Sequence, residues 1–177
     1  NVETLVNVPW IVMEGGAAYA GVGTSESAGS KLFCVSGHVA RPGLYEVPFG
    51  GTLGEVIELA GGVRGERAIR AVLLGGAAGT FVGPDKLDLP LTFEGTRTEG
   101  ASIGSGVVMV LDDTVDIGDI LARIAAFFRD ETCGQCVPCR IGTVRQEELL
   151  ARLRAGRPIG GRSTELELLA EIGQVMR

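Results

Sequence analysis

Three of the four cysteines in this chain recur at every third position of one short segment. They are Cys133, Cys136 and Cys139, within DETCGQCVPCRIG at residues 130–142. Thiolates at this spacing can turn toward one metal centre, and the third allows a single loop to hold three corners of an iron–sulfur cubane. Zinc sites use such cysteines in pairs, so the run favours iron and sulfide, with zinc binding and free thiols as alternatives.

A metal site closed entirely by protein usually has four ligands, so the source of a fourth ligand must be considered. Cys34 stands in a strand-like run, where a small apolar side chain is expected in the core rather than at a metal. His38 is the only histidine and stands at a strand end, where we expect a solvated or hydrogen-bonded ring. We expect Arg140 to offset negative charge at the cysteines and to tune a reduction potential.

Composition limits the classes of function. The chain has 177 residues, of which 45% are hydrophobic, and a formal net charge of −6. This charge argues against a nucleic-acid surface, and no apolar run is long enough to span a bilayer. A cysteine run of this kind suits a reducing compartment, so we expect the cytoplasm. The chain starts without Met or a secretory signal and stops within a helical pattern, which indicates an excerpt of a longer polypeptide.

Local signals divide the first part of the chain. Residues 1–30 are rich in Gly, Ala and Ser and predict an arm or linker. Residues 31–39 and 44–49 are strand-like and flank turn residues, which predicts a β-hairpin. A helix should follow, capped by Thr52 and Glu55 and stopped by two glycines.

Two later strand-like segments complete the pattern of a mixed sheet. They cover residues 71–74 and 106–113, and a Gly- and Pro-rich stretch separates them. A hairpin, a helix and further strands are the order of a small β-grasp domain, which packs one helix across a mixed sheet. We therefore predict a β-grasp domain over residues 31–113 within an α+β chain.

The hydrophobic period changes to that of a helix from Asp116 onward. One helix should lead into the cysteine loop, and a second should begin at Thr143. A third should begin at Thr164, with Glu167 as its capping-box partner. Residues 114–177 are therefore predicted to form a small all-α helical bundle around the cysteines.

Three separated motifs together carry a family resemblance. They are NVETLVNVP, KLFCVSGHVARPGLYEVPFG and ETCGQCVPCRIGT. With them the chain resembles the C-terminal part of the flavoprotein subunit of NADH dehydrogenases. That family includes the NADH-oxidising subunit of respiratory complex I and the diaphorase subunits of NAD-linked formate dehydrogenases and hydrogenases. The resemblance implies an SLBB-type β-grasp domain followed by a helical bundle that holds a 4Fe–4S cluster, here truncated.

The resemblance also implies site residues. Cys133, Cys136 and Cys139 match three cluster ligands of the family, and the fourth is expected beyond Arg177. Asn1 and Thr4 match a segment that borders FMN in relatives and are expected to be remnants of that site. No catalytic residue is expected within the chain.

The implied function is electron transfer within a larger NAD(H)-dependent oxidoreductase. The cluster would relay single electrons between FMN and a partner's iron–sulfur chain. NADH and FMN would be bound by an N-terminal domain of the same subunit, so this fragment alone is expected to be inactive.

The expected partners are that N-terminal domain and the other iron–sulfur subunits of a multi-subunit complex. Neither nucleic acid nor a direct membrane span is expected. The complex would lie in the cytoplasm or at the cytoplasmic face of a membrane. The alternative is a zinc-stabilised or metal-free interaction module without redox activity.

Overall fold

A computed structural model describes residues 2–176 of the chain. The chain divides after Thr114 into two compact units. The first contains a five-stranded mixed sheet, and the second is helical, so the predicted combination of α and β structure is confirmed. None of the helices described is both long and apolar enough to cross a membrane.

The first unit alternates short helices with the strands of one sheet. In chain order its elements are α1 (Val2–Glu14), α2 (Gly16–Ala20), β1 (Ser30–Gly37), β2 (Gly43–Pro48), α3 (Leu53–Leu59), β3 (Ile69–Leu74), β4 (Thr80–Val82), α4 (Phe93–Thr98) and β5 (Val107–Asp112). The strand order across the sheet is β2-β1-β5-β3-β4. The central pair, β1 and β5, is parallel, and the other neighbours are antiparallel.

The hairpin and its following helix form where the local signals predict them. Glu55 N donates to Thr52 Oγ1 at 3.2 Å, and Thr52 N donates to Glu55 Oε2 at 2.8 Å, which completes the capping box of α3. Gly61 and Gly62 follow with positive φ values of 81° and 71° and end the helix. The predicted mixed sheet with a covering helix is confirmed.

The core of the first unit lies between the sheet and α3. Alternate residues of β1 and β5 point inward because side chains on a strand alternate between its two faces. Core side chains from these elements are Phe33, Val35, Leu53, Val56, Val72, Leu74, Val108 and Val110.

Two elements fall in the stretch that the sequence indicated only as a Gly- and Pro-rich connection. These are β4, with three residues, and α4, with six. Thr92 caps α4 by accepting a hydrogen bond from Gly95 N at 2.9 Å. Both elements are too short to show a hydrophobic period, so the sequence carries no pattern that predicts them.

The start of the chain, for which an arm or linker is predicted, is helical. Residues 2–14 form α1 although Pro9 lies inside it, and α1 contains no buried residue. Its attachment to the sheet is polar. Glu3 accepts hydrogen bonds from Leu32 N, at 2.7 Å, and from the Lys31 ammonium. A helix held in this way has no buried apolar stripe to mark it in the sequence.

The second unit contains α5 (Ile117–Glu131), α6 (Val137–Arg154) and α7 (Arg162–Val175). Asp116 caps α5 by accepting from Gly118 N at 2.8 Å, at the end where a negative charge is favoured. The second unit thus contains three helices, and two of them begin at other residues than the sequence predicts.

The second helix begins at Val137 rather than at Thr143. Pro138 lies in its first turn, where a missing N–H costs no helical hydrogen bond. The third helix begins at Arg162 after Gly161, and its predicted capping box is absent. Thr164 Oγ1 instead donates to the carbonyl of Gly160 at 3.1 Å.

Candidate functional site

The three closely spaced cysteines lie on one segment between α5 and α6. Cys133 is in the connecting loop, Cys136 is the N-cap residue of α6, and Cys139 is in the first turn of that helix. The side chains of Cys133 and Cys136 are exposed, and Cys139 is half-buried. The three thiols that the sequence places on one loop therefore lie on a helix–loop–helix segment formed by α5, the connecting loop and the start of α6.

The backbone of this loop is held by groups other than the thiols. Thr132 ends α5, and its N–H donates to the carbonyl of Phe128 at 3.1 Å. Gly134 follows with φ of 71°, a conformation that favours glycine. Arg140 folds back from α6, and its Nη1 donates to the carbonyl of Gly134 at 3.2 Å.

Two hydroxyl groups contact Cys139. Thr132 Oγ1 lies 3.2 Å from Cys139 Sγ, and Thr143 Oγ1 donates to the Cys139 carbonyl at 3.0 Å. Thr132 is not among the site residues that the cysteine spacing indicates. Its only signal is a hydroxyl residue directly before the first cysteine, and the contact itself depends on how the end of α5 meets α6.

The start of α6 favours negative charge on the thiols that stand there. Cys136 and Cys139 stand at the N-terminus of α6, where free N–H groups and the helix dipole are positive. The first turn of α6 contains no acidic residue. Arg140 adds a fixed positive charge to the same turn.

The donor chemistry fits an iron–sulfur cluster, because thiolate is the usual protein ligand of such clusters and two of the three thiols are accessible. In this structure the three cysteine side chains are not gathered around one point. Among residues 2–176, no three His, Cys, Asp or Glu side chains are grouped closely enough to hold a metal ion. Binding would therefore require the three thiols to turn toward a common centre.

The other two candidate ligands lie in the first unit. Cys34 is exposed, so the expectation that it belongs to the core is wrong. Phe33 and Val35 take the inward face of β1, and the alternation of the strand turns Cys34 outward. His38 is partly exposed, and its Nδ1 lies 3.9 Å from Oδ1 of the buried Asp112.

The resemblance proposes two site residues at the start of the chain, and the structure describes one of them. Asn1 lies outside the described residues. Thr4 is exposed on α1. Glu3, the residue before Thr4, anchors α1 to the sheet.

Close contacts between helices fix the surroundings of the cysteine segment. Arg129 of α5 contacts both carboxylate oxygens of Glu147 in α6, at 2.7 and 2.6 Å. A Cβ atom on Gly142 of α6 would lie 2.3 Å from Sδ of Met176. The residue at the end of α7 therefore packs against α6 one turn beyond Cys139.

Two family models match this chain. Residues 119–177 match the NADH-ubiquinone oxidoreductase-F iron-sulfur binding region, and residues 32–78 match the SLBB domain. The first match contains Cys133, Cys136 and Cys139, and the second contains β2 and α3.

Curated relatives match nearly the whole chain. It is 40% identical over 172 residues to the F 2 subunit of NADH-quinone oxidoreductase of Rhizobium meliloti (strain 1021), a match that covers 97% of this chain and 41% of that protein. It is 36% identical over 182 residues to NADP-reducing hydrogenase subunit HndC of Solidesulfovibrio fructosivorans, covering 100% of this chain and 36% of that protein. The chain thus spans about two fifths of the length of these relatives.

Solved structures show the same fold. The chain matches a crystal structure of NAD+-reducing [NiFe]-hydrogenase in the air-oxidized state with a TM-score of 0.86 and 42% sequence identity. The match covers 100% of this chain and 30% of that one. The structure of the same enzyme in the H2-reduced state has the same TM-score and identity.

Proposed function

Because this chain belongs to the family of NADH-quinone oxidoreductase F subunits and related hydrogenase subunits, we propose that it is the electron-transfer part of such a subunit. The observation that carries this proposal is the placement of Cys133, Cys136 and Cys139 on one loop. That loop lies within the region matched by the iron–sulfur binding family model.

In this proposal the three thiolates hold three corners of a 4Fe–4S cluster, and a fourth ligand lies beyond Arg177. When bound, such a cluster accepts and returns one electron at a time. The positive N-terminus of α6 and the Arg140 guanidinium stabilise the negative charge of the thiolates. Gly134, with φ of 71°, allows the backbone turn between Cys133 and Cys136.

In this proposal, NADH oxidation and the onward transfer of electrons take place outside residues 1–177. NADH and FMN bind elsewhere in the same subunit, and residues 1–177 alone do not oxidise NADH. Thr4, exposed on α1, together with Asn1, borders the FMN site. A cluster held by Cys133, Cys136 and Cys139 would supply single-electron transfer between FMN and the iron–sulfur subunits of a partner complex, in the cytoplasm or at the cytoplasmic face of a membrane.

The test is a metal analysis of the full-length subunit that contains these residues, after anaerobic reconstitution with iron and sulfide. We expect about four irons for the cluster, with matching acid-labile sulfide and an electron paramagnetic resonance signal on reduction. Cys136→Ser should lose this signal. Cys34→Ser is the matched control and should keep it, because Cys34 lies in the first unit.

Two results would overturn the proposal. Stoichiometric zinc without iron would indicate a zinc-stabilised module, in which the thiols serve folding rather than electron transfer. A folded subunit that takes up neither metal, and that alkylation of its thiols leaves intact, would indicate a metal-free interaction module.

A further inference from the structure

The hydroxyl of Thr132 contacts a thiol of the cysteine segment. Its Oγ1 lies 3.2 Å from Cys139 Sγ, and it accepts a hydrogen bond from Gly134 N at 3.3 Å. A backbone N–H can only donate, so this contact uses a lone pair of the hydroxyl oxygen. The hydroxyl proton is left free to point at the sulfur of Cys139.

The direction of the bond follows if Cys139 keeps this contact when it acts as a ligand. A thiol can donate or accept, but a thiolate bound to iron has no proton and can only accept. The Thr132 hydroxyl must then be the donor in this contact. Hydrogen bonds from donors to charged acceptors are shorter and stronger than those between neutral groups.

The local structure holds this hydroxyl in position. Thr132 is the C-cap residue of α5, and its own N–H is bonded to Phe128 O. Its β-branched side chain has few χ1 rotamers available. Both Thr132 and Cys139 are half-buried, whereas Cys133 and Cys136 are exposed to competing water. Of the three thiols, the one with a positioned side-chain donor in the described structure is that of Cys139.

We propose that Thr132 is a positioning residue that donates a hydrogen bond to the sulfur of Cys139 and raises the reduction potential of the bound cluster. The inference rests on the proposed function, because it concerns the same cysteines. Reduction adds one negative charge, which is shared with the ligand sulfurs. A donor aimed at a sulfur stabilises the reduced state more than the oxidised state, so the potential rises.

Thr143, in α6, offers a control that contacts the same cysteine. Its Oγ1 donates to the backbone carbonyl of Cys139 at 3.0 Å and so contacts the same residue away from the sulfur. Replacing either threonine by valine removes one hydroxyl and keeps the β-branched shape. Only the Thr132 substitution removes a hydrogen bond to sulfur.

The experiment is a redox titration of the full-length subunit, reconstituted anaerobically and followed by electron paramagnetic resonance, with iron content measured in parallel. We expect Thr132→Val to lower the midpoint potential at unchanged iron content. Thr132→Ser, which keeps the donor, should restore the wild-type potential. Thr143→Val should leave the potential unchanged.

The remaining outcomes separate this inference from the proposed function. A wild-type potential in Thr132→Val, with full iron content, overturns the inference and leaves the electron-transfer role standing. An equal shift in Thr143→Val also overturns it, because a general loosening of the turn would then be responsible. Loss of iron from Thr132→Val but not from Thr132→Ser supports the hydroxyl as the group that positions Cys139. Loss from both variants, or wild-type protein without a cluster, overturns the inference.

Discussion

The Nε of Arg152 in α6 lies 2.6 Å from Oε1 of Glu165 in α7, and the Glu165 side chain is only 2% exposed. The same oxygen accepts a hydrogen bond from Ile159 N at 3.1 Å, in the connection between the two helices. Burial acts to raise the pKa of Glu165, but the hydrogen bonds from Arg152 and Ile159 outweigh it and hold the pKa below its ordinary value of 4.5. One carboxylate thus joins α6, α7 and the loop between them.

This carboxylate should make the second unit sensitive to acid. Because the pKa of Glu165 is lower in the folded state than in the unfolded chain, its contribution to stability is present above pH 4.5 and is lost as the pH falls through the folded-state pKa. We expect Glu165→Gln to be less stable near neutral pH and to show a weaker decline on acidification. Urea unfolding followed by circular dichroism at several pH values measures this. Glu167→Gln, at an exposed position of α7, should retain the wild-type pH dependence.

Leu149 is the buried apolar side chain of α6. It is 2% exposed, and Leu149→Ala should lower the free energy of unfolding by about 2–5 kcal/mol because it leaves a cavity among the helices. Leu168→Ala in α7 is the comparison, since Leu168 is 43% exposed and loses less buried area. Denaturant titration of both variants tests this. Equal losses at the two positions would show that Leu149 is not a core residue.

Glu3 should control the attachment of α1 to the sheet. Glu3→Ala removes the acceptor for Leu32 N and the partner of Lys31, so α1 should loosen. Trp10 is the only tryptophan of the chain and lies on this helix, 5.9 Å from the ring of Tyr19. Its fluorescence should become easier to quench with acrylamide in Glu3→Ala. Glu14→Ala, at the other, exposed end of α1, should leave the quenching unchanged.

Gly37 of β1 lies opposite Val110 of β5. Its φ is 82°, and a Cβ atom there would lie 2.1 Å from the carbonyl oxygen of Val110. Gly37→Ala should therefore cost more than the roughly 1–2 kcal/mol of left-handed backbone strain alone. Gly62→Ala isolates that strain, because its φ is also positive and no atom lies within 4 Å of the added Cβ. Thermal unfolding should place Gly62→Ala between the wild type and Gly37→Ala.

The elements that the sequence predicts well are those with signals carried by adjacent residues. The capping box of Thr52 and Glu55 and the alternation around Phe33 act within a few positions, so α3 and the hairpin follow from pattern alone. The helix α1 does not, because Pro9 argues against it and its attachment comes from Glu3 meeting a strand far along the chain. Long-range contacts of this kind leave no local pattern.

The candidate site shows the same division. The spacing of the cysteines identifies the loop, since three thiols within seven residues remain neighbours in any compact fold. The contact of Thr132 with Cys139 could not be predicted, because it depends on the angle between α5 and α6. The exposure of Cys34 could have been predicted, because the inward positions of Phe33 and Val35 leave it on the outer face.

The parallel pairing of β1 with β5 determines the order in which the first unit can assemble. During synthesis the hairpin of β1 and β2 can form once residue 48 is available, but β5 follows only after α3, β3, β4 and α4. Until then the inward side chains of Phe33 and Val35 lack the strand neighbour that completes their sheet. High contact order of this kind slows folding and prolongs the exposure of apolar surface. A nascent chain arrested before Val107 would therefore present an incomplete sheet with an open edge, a natural substrate for chaperones.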